Sequence, residues 1–237
     1  MKRKALLIGN TNGLEGVQVD ITKLRRFLKS PTGGAWEDSE ILVAENPDLS
    51  DFLLRLGLLR SQSLDFAFVL FSGHGAHIRE TVLELNPKHE LLPETKLHNL
   101  APRQITVVDC CRGVIPDVLA KATPTMEALD AAYVDRVAVR KRYEARIMSA
   151  MKQQARLYAC AVDEAATDDA KMGAVYFGHL LDSAQSFEMG LNFKTVEAAH
   201  AQAKAKTLRD SRTSNQTPEA LLPKCLPDQQ LILSIRP

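Results

Sequence analysis

Aromatic residues make up only 5% of this 237-residue chain, with a single tryptophan; there are four cysteines and almost no net charge. Each scarcity excludes something. Cys110 and Cys111 are adjacent while Cys160 and Cys225 stand alone, and neighbouring cysteines rarely bridge, so no disulfide framework is expected. A reducing, cytoplasmic location fits that usage best. Thirty basic against 29 acidic side chains leave a formal charge of +1, too little for nucleic acid or an anionic membrane to be an obligatory partner. No apolar run approaches the roughly 20 residues of a membrane span, and Met1-Lys2-Arg3-Lys4 leads into only a few apolar residues, so neither a span nor a signal peptide is expected.

A content of 45% hydrophobic and 25% charged residues suits one substantial core, and residues 1–237 read as a single domain. Short apolar runs at 5–8, 40–43, 66–71, 105–108, 157–161 and 231–235 have the length and side chains of strands. Helical periodicity marks 17–28, 49–59, 125–154, 174–185 and 195–209. Strands separated mostly by helices predict an α/β fold with a mostly parallel six-stranded sheet and helices on both faces. Internal repeats and low-complexity tracts are absent from the sequence.

Two of the runs end in residues that carry chemistry. Phe66 to Phe71 is followed by Ser72-Gly73-His74-Gly75, and Ile105 to Val108 by Asp109-Cys110-Cys111-Arg112-Gly113. Buried parallel strands of this type place their C-terminal ends where α/β sheets put active sites, so His74 and Cys111 are brought to one edge. A thiol becomes a nucleophile near neutral pH when something favours its thiolate, and an imidazole is the usual device. Alternation along the strand turns Cys110 to the opposite side from Cys111, which leaves Cys110 as a buried structural thiol. The same alternation opposes a zinc site built from both cysteines with His74 and His77. Gly9, Gly13 and Gly16 follow the first strand without forming either common nucleotide-loop pattern.

With these motifs the chain resembles the caspase-like cysteine peptidases, and most closely their metacaspase and orthocaspase branch. The caspase signature Q-A-C-[RQG]-G has its histidine about 50 residues upstream; here Asp109 replaces the glutamine, giving D-x-C, and Cys111 follows His74 by 111 − 74 = 37 residues. Leu14-Glu15-Gly16-Val17-Gln18-Val19-Asp20 is similar to the family's L-x-G-C-x-N-D helix entry. Tyr158 to Ala166 is similar to its S-G-C-x-D-D-Q-x-A strand, Gly173 to Phe177 to its G-x-F-T helix start, and Gln216-Thr217-Pro218 to its Q-x-P turn.

The resemblance implies a three-layer caspase-like sandwich and a cysteine endopeptidase acting on polypeptides through an acyl-enzyme. His74 and Cys111 form its dyad, and the backbone N–H groups of Gly75 and Cys111 its oxyanion hole. It further implies an acidic first specificity pocket of Asp20, Ser72 and Asp109, which takes arginine, less well lysine, at P1, the residue after which the chain is cut. Asp163 and Glu164 are candidates for its rim. By analogy such proteins are regulated effectors in stress, cell death or bacterial defence, and an activating protein partner is expected. The alternative is a catalytically silent caspase-fold scaffold.

Two departures bear on control. Val17 stands where the family often has cysteine. The regions corresponding to the calcium site of several metacaspases read Asn86-Pro87-Lys88-His89-Glu90 and Val118, with too few hard oxygen ligands for that ion, so no metal or other cofactor is expected. Finally, the segment 125–156 after the nucleophile carries Arg136, Arg140, Arg142 and Arg146. It reads as a solvated basic helix face or as a self-cleavage or pocket-blocking segment.

Overall fold

The computed structural model describes residues 1–113 and 135–237. The chain forms β1 (Arg3–Gly9), α1 (Gly16–Lys29), β2 (Ile41–Glu45), α2 (Leu49–Ser61) and β3 (Phe66–Ser72). A small antiparallel meander follows, β4 (Gly75–His77), β5 (Thr81–Glu84) and β6 (Leu91–Pro93), before β7 (Arg103–Asp109). Beyond residue 134 come α3 (Arg136–Ser149), β8 (Gln153–Tyr158), β9 (Asp168–Asp169), β10 (Gly173–Ala174) and α4 (Val175–Gln185). The chain ends with β11 (Phe193–Thr195), α5 (Val196–Thr207), β12 (Glu219–Leu221) and β13 (Ile232–Ile235).

The central sheet has six strands in the order β12-β8-β7-β3-β1-β2, parallel except for the antiparallel edge strand β12. Alternation along its strands builds two cores. Ala5 and Leu7 of β1 and Phe66, Phe68 and Leu70 of β3 pack with α1, α3, α4 and α5 on one face. Leu6, Ile8, Ala67, Val69 and Phe71 pack with Phe52, Leu56 and Leu59 of α2 and with the meander on the other. The sequence patterning thus anticipates an α/β sandwich with helices on both sides.

Three boundaries differ from expectation. The run 231–235 is not a strand of the central sheet: β13 pairs with β11 in a separate two-stranded sheet and is buried on both sides. A fully apolar run does not say which layer buries it. The sixth strand is β12, three half-exposed residues with no apolar run to announce them. The helix expected over 125–154 ends at Ser149, and Gln153 and Gln154 already belong to β8; residues 125–134 of that expectation lie outside the described residues. The polar start of β8 hides it from a hydrophobicity reading, because Gln153 satisfies its amide on the carbonyls of Met151 and Gln229.

Candidate active site

Strand register sets the site. Ser72 at the end of β3 pairs with Asp109 at the end of β7, and two residues further each chain reaches His74 and Cys111 respectively. The strand ends are stitched together by the Gly73 N–H donating to the Asp109 carbonyl at 3.1 Å and the Asn10 N–H to the Ser72 carbonyl at 3.0 Å. His74 Nε2 lies 2.6 Å from the carbonyl oxygen of Asn12. A carbonyl only accepts, so Nε2 carries the proton and the lone pair is left on Nδ1. The Asn12 peptide is itself held by its N–H donating to Asn10 Oδ1 at 3.1 Å. This backbone partner orients the imidazole as a carboxylate orients histidine in catalytic triads.

Cys110 and Cys111 face opposite ways. Cys110 is 2% exposed and belongs to the core on the α2 face. Its side chain fills the space beside Gly75, where a Cβ would fall 2.5 Å from its Sγ, so the residue after the histidine has to be glycine for the meander to lie this close. The Cys111 thiol is half-buried and donates to the Ala166 carbonyl at 3.7 Å; no hydrogen bond joins it to His74. Burial, and then the carboxyl of Asp109, push its pKa above the ordinary thiol value. The turn beyond it is fixed by the Arg112 N–H donating to the Glu164 carbonyl and the Asp163 N–H to the Arg112 carbonyl.

Asp20 and Ser72 are brought together: the Ser72 hydroxyl donates to Asp20 Oδ2 at 2.7 Å, and the Ala174 N–H at the start of α4 donates to Oδ1 at 3.0 Å. Asp20 is fully buried, and that burial raises its pKa to about 7, with the charge of Asp168 adding to the rise. Asp109 is 4% exposed and its Oδ2 has no partner. Burial, then the nearby charges of Asp20 and Asp168, hold its pKa well above the ordinary carboxyl range. The arrangement is a buried cluster of two carboxyls in which the Asp20 oxygens are both bonded and the Asp109 Oδ2 is left without a partner, a cost that buried polar groups rarely carry.

A family model for the caspase domain matches residues 2–221. The chain belongs to the caspase domain family. The crystal structure of caspase-1 from Spodoptera frugiperda superposes with a TM-score of 0.63, at 11% identity, over 99% of this chain and 90% of that one. No curated protein matches the chain.

Other residues of this caspase domain take different parts from those expected. Glu164 faces inward: its Oε2 accepts from the N–H groups of Ala161 and Thr217, so its carboxylate ties two loops together instead of lining a rim. Asp163 is exposed on the turn beside it. Arg112 is buried over the ring of Tyr158 at 4.3 Å and bonds Glu219 of β12 at 2.8 Å, clamping the antiparallel edge strand to the site. Gln216, from the Q-x-P turn, donates to the Ala159 carbonyl and accepts from the Thr167 N–H, which positions the loop carrying Ala166 and Asp168.

Arg136, Arg140, Arg142 and Arg146 lie on α3, whose Val139, Tyr143 and Ile147 are buried in the core. The helix packs along the N-terminal ends of the strands: Arg140 bonds the Ala35 carbonyl and Glu40 before β2, and Arg103 at the start of β7 bonds the carbonyls of Met148 and Ala150. This is the end of the sheet opposite His74 and Cys111, so the described part of the segment does not cover the recess. Asn86 and Glu90 bond each other and the α2 N-terminus, and among the described residues no three carboxylate, imidazole or thiol groups could hold a metal ion; Val118 lies outside the described residues. Nor, among those residues, is any helix long and apolar enough to cross a membrane.

Proposed function

We propose that the chain is a cysteine endopeptidase that cuts after arginine, and less well after lysine, in the manner of the metacaspase-like branch it resembles. The observation that carries this reading is the buried recess of Asp20, Ser72 and Asp109, with its unpartnered Asp109 oxygen, beside adjacent strand ends that present an oriented imidazole and a thiol. A guanidinium brings the charge and the donors that this recess lacks.

In the reaction, His74 Nδ1 takes the Cys111 proton and the sulfur attacks the carbonyl carbon of the P1 residue. The N–H groups of Gly75 and Cys111 receive the developing oxyanion. As the C–N bond breaks, the His74 imidazolium gives its proton to the leaving amine; water, deprotonated by the same imidazole, then releases the acyl group. Substrate binding has to free the thiol from the Ala166 carbonyl first. That resting contact and the raised thiol pKa favour a second reading, a catalytically silent scaffold. A peptide chloromethyl ketone with arginine at P1 separates the two. Alkylation at Cys111, seen as an added mass on its peptide, supports the peptidase; an unmodified Cys111 in folded protein supports the scaffold.

A pH dependence follows from Asp20. A carboxyl whose folded pKa is raised from 3.8 to about 7 binds its proton more tightly in the folded chain. Its contribution to stability is therefore complete below about pH 4 and is lost as pH rises to 7. Cation binding runs the other way, since it needs the ionised carboxylate. KM for a P1-arginine peptide should rise as pH falls below about 7, approaching tenfold per unit, while Asp20→Asn should flatten that limb. A KM profile indifferent to Asp20 contradicts the pocket assignment.

Self-processing is proposed only at the exposed start of α3. Cleavage after Arg140, Arg142 or Arg146 requires extended backbone, and those residues sit within a packed helix, whereas Arg136 occupies its first turn. Intact-mass analysis of active protein should show any cut at Arg136, with Cys111→Ala remaining whole. Fragments ending at Arg140, Arg142 or Arg146 would show that α3 opens, and a single uncut species would remove self-processing.

A further inference from the structure

Asp168, the first residue of β9, belongs to none of the pocket positions given by the sequence motifs. Its Oδ2 accepts from the N–H of Gly16, the first residue of α1, at 3.2 Å. Its Oδ1 is shielded from solvent and has no partner. The carboxylate fits only because Gly16 has no side chain, since a Cβ there would fall 1.9 Å from Oδ1. Asp168 pairs with Ala174 across β9 and β10, and the Ala174 N–H donates to Asp20 Oδ1, so Asp168 stands beside the Asp20–Ser72 pair; its charge adds to the rise in pKa of Asp20 and of Asp109.

The Oδ2 of Asp109, on a side chain 4% exposed, is likewise unpartnered. Asp20 links the two: its donor Ser72 stands opposite Asp109 in the β3–β7 register, and its other donor Ala174 stands opposite Asp168 in the β9–β10 register, so β7 and β9 each bring one unsatisfied oxygen to the surroundings of Asp20. Lys23, the basic group that acts on Asp20, donates to the Met172 carbonyl at 2.8 Å. Among the described residues these carboxylates do not converge tightly enough to hold a metal ion. A cation that meets oxygens spread in this way needs several donors in a plane, which guanidinium has and a compact ammonium lacks.

We propose that Asp168 is a specificity-determining residue that takes one edge of the P1 guanidinium while Asp109 takes the other, and so sets the preference for arginine over lysine. This rests on the arginine-pocket reading above. The competing role is a helix cap for α1, whose N-cap Glu15 makes no side-chain bond.

Asp168→Asn separates them, because the amide oxygen still accepts from Gly16 while the charge is gone. Kinetics on matched peptides differing only in P1 should show kcat/KM for arginine falling roughly 10- to 100-fold, lysine falling less, and the Arg/Lys ratio moving towards one, with the melting temperature unchanged or higher. Gly16→Ala, whose methyl displaces the carboxylate, should move the ratio in the same direction and covers the case of a poorly folded Asp168→Asn. Wild-type protein that prefers arginine, with the ratio unchanged in the folded variants, overturns this inference alone. Wild-type protein that cleaves after neither basic residue overturns the pocket reading and this inference with it.

Discussion

Cys111→Ala should abolish peptide cleavage, with a loss on the order of 10⁴- to 10⁶-fold, the scale seen when a member of a nucleophile–base unit is removed. Cys110→Ser should keep most of the turnover per folded molecule. The two thiols are neighbours in sequence but face different ways: Cys110 is in the core against Gly75, and Cys111 stands at the strand end beyond Asp109, bonded to the Ala166 carbonyl. The serine variant buries a hydroxyl in an apolar site and should instead lower stability by about 1–3 kcal/mol. Kinetics and thermal melts on both variants give a crossed pattern, one losing chemistry and the other losing stability. Equal loss of activity in two folded variants would overturn the assignment of the nucleophile.

Asp109→Asn should reduce kcat/KM for P1-arginine peptides by roughly two to three orders of magnitude, because removing one partner of a buried charge pair costs about 3–5 kcal/mol. Peptides with a neutral P1 residue should change far less. The variant itself should be no less stable than the parent, and more stable at neutral pH, since burial and the charges of Asp20 and Asp168 already disfavour an ionised Asp109. Stability given up in the empty recess for binding is a trade expected of functional sites. A variant that loses stability but keeps its arginine preference would mark Asp109 as structural. It would then serve α4, whose Phe177 N–H favours its ionised form.

Much of this was legible in the sequence, for identifiable reasons. His74 and Cys111 stand at the ends of apolar runs flanked by glycine, and strand register carries such residues to one edge without any knowledge of the loops. Alternation alone separated Cys110 from Cys111. The Asn12 carbonyl that fixes the His74 tautomer was not legible, since every residue type offers the same backbone oxygen. Asp168 was missed for a related reason. Its partner is a glycine N–H 152 positions earlier, and only the fold brings β9 against the start of α1. Glu164 was misread as a rim residue because a carboxylate near a strand end looks alike whether it faces solvent or, as here, the backbone N–H groups of two loops.

The basic segment after Cys111 was legible only in part. Its charges read as a solvated face or a substrate-like loop, yet Arg140 forms ion pairs with Glu40 and Glu144, and Tyr143 lies in the core beside Arg3 and Trp36. Arg140 anchors the helix to the N-terminal side of the sheet, while Arg136 and Arg142 are exposed, as a solvated face has them. Composition counts charge and does not reveal its partners.

A cysteine endopeptidase whose acidic pocket selects a basic P1 residue should cut a peptide library randomised at P1 after arginine first and lysine second, with every cut absent from a Cys111→Ala reaction run beside the wild type. Cleavage after aspartate, or cleavage that survives the loss of Cys111, would contradict that reading.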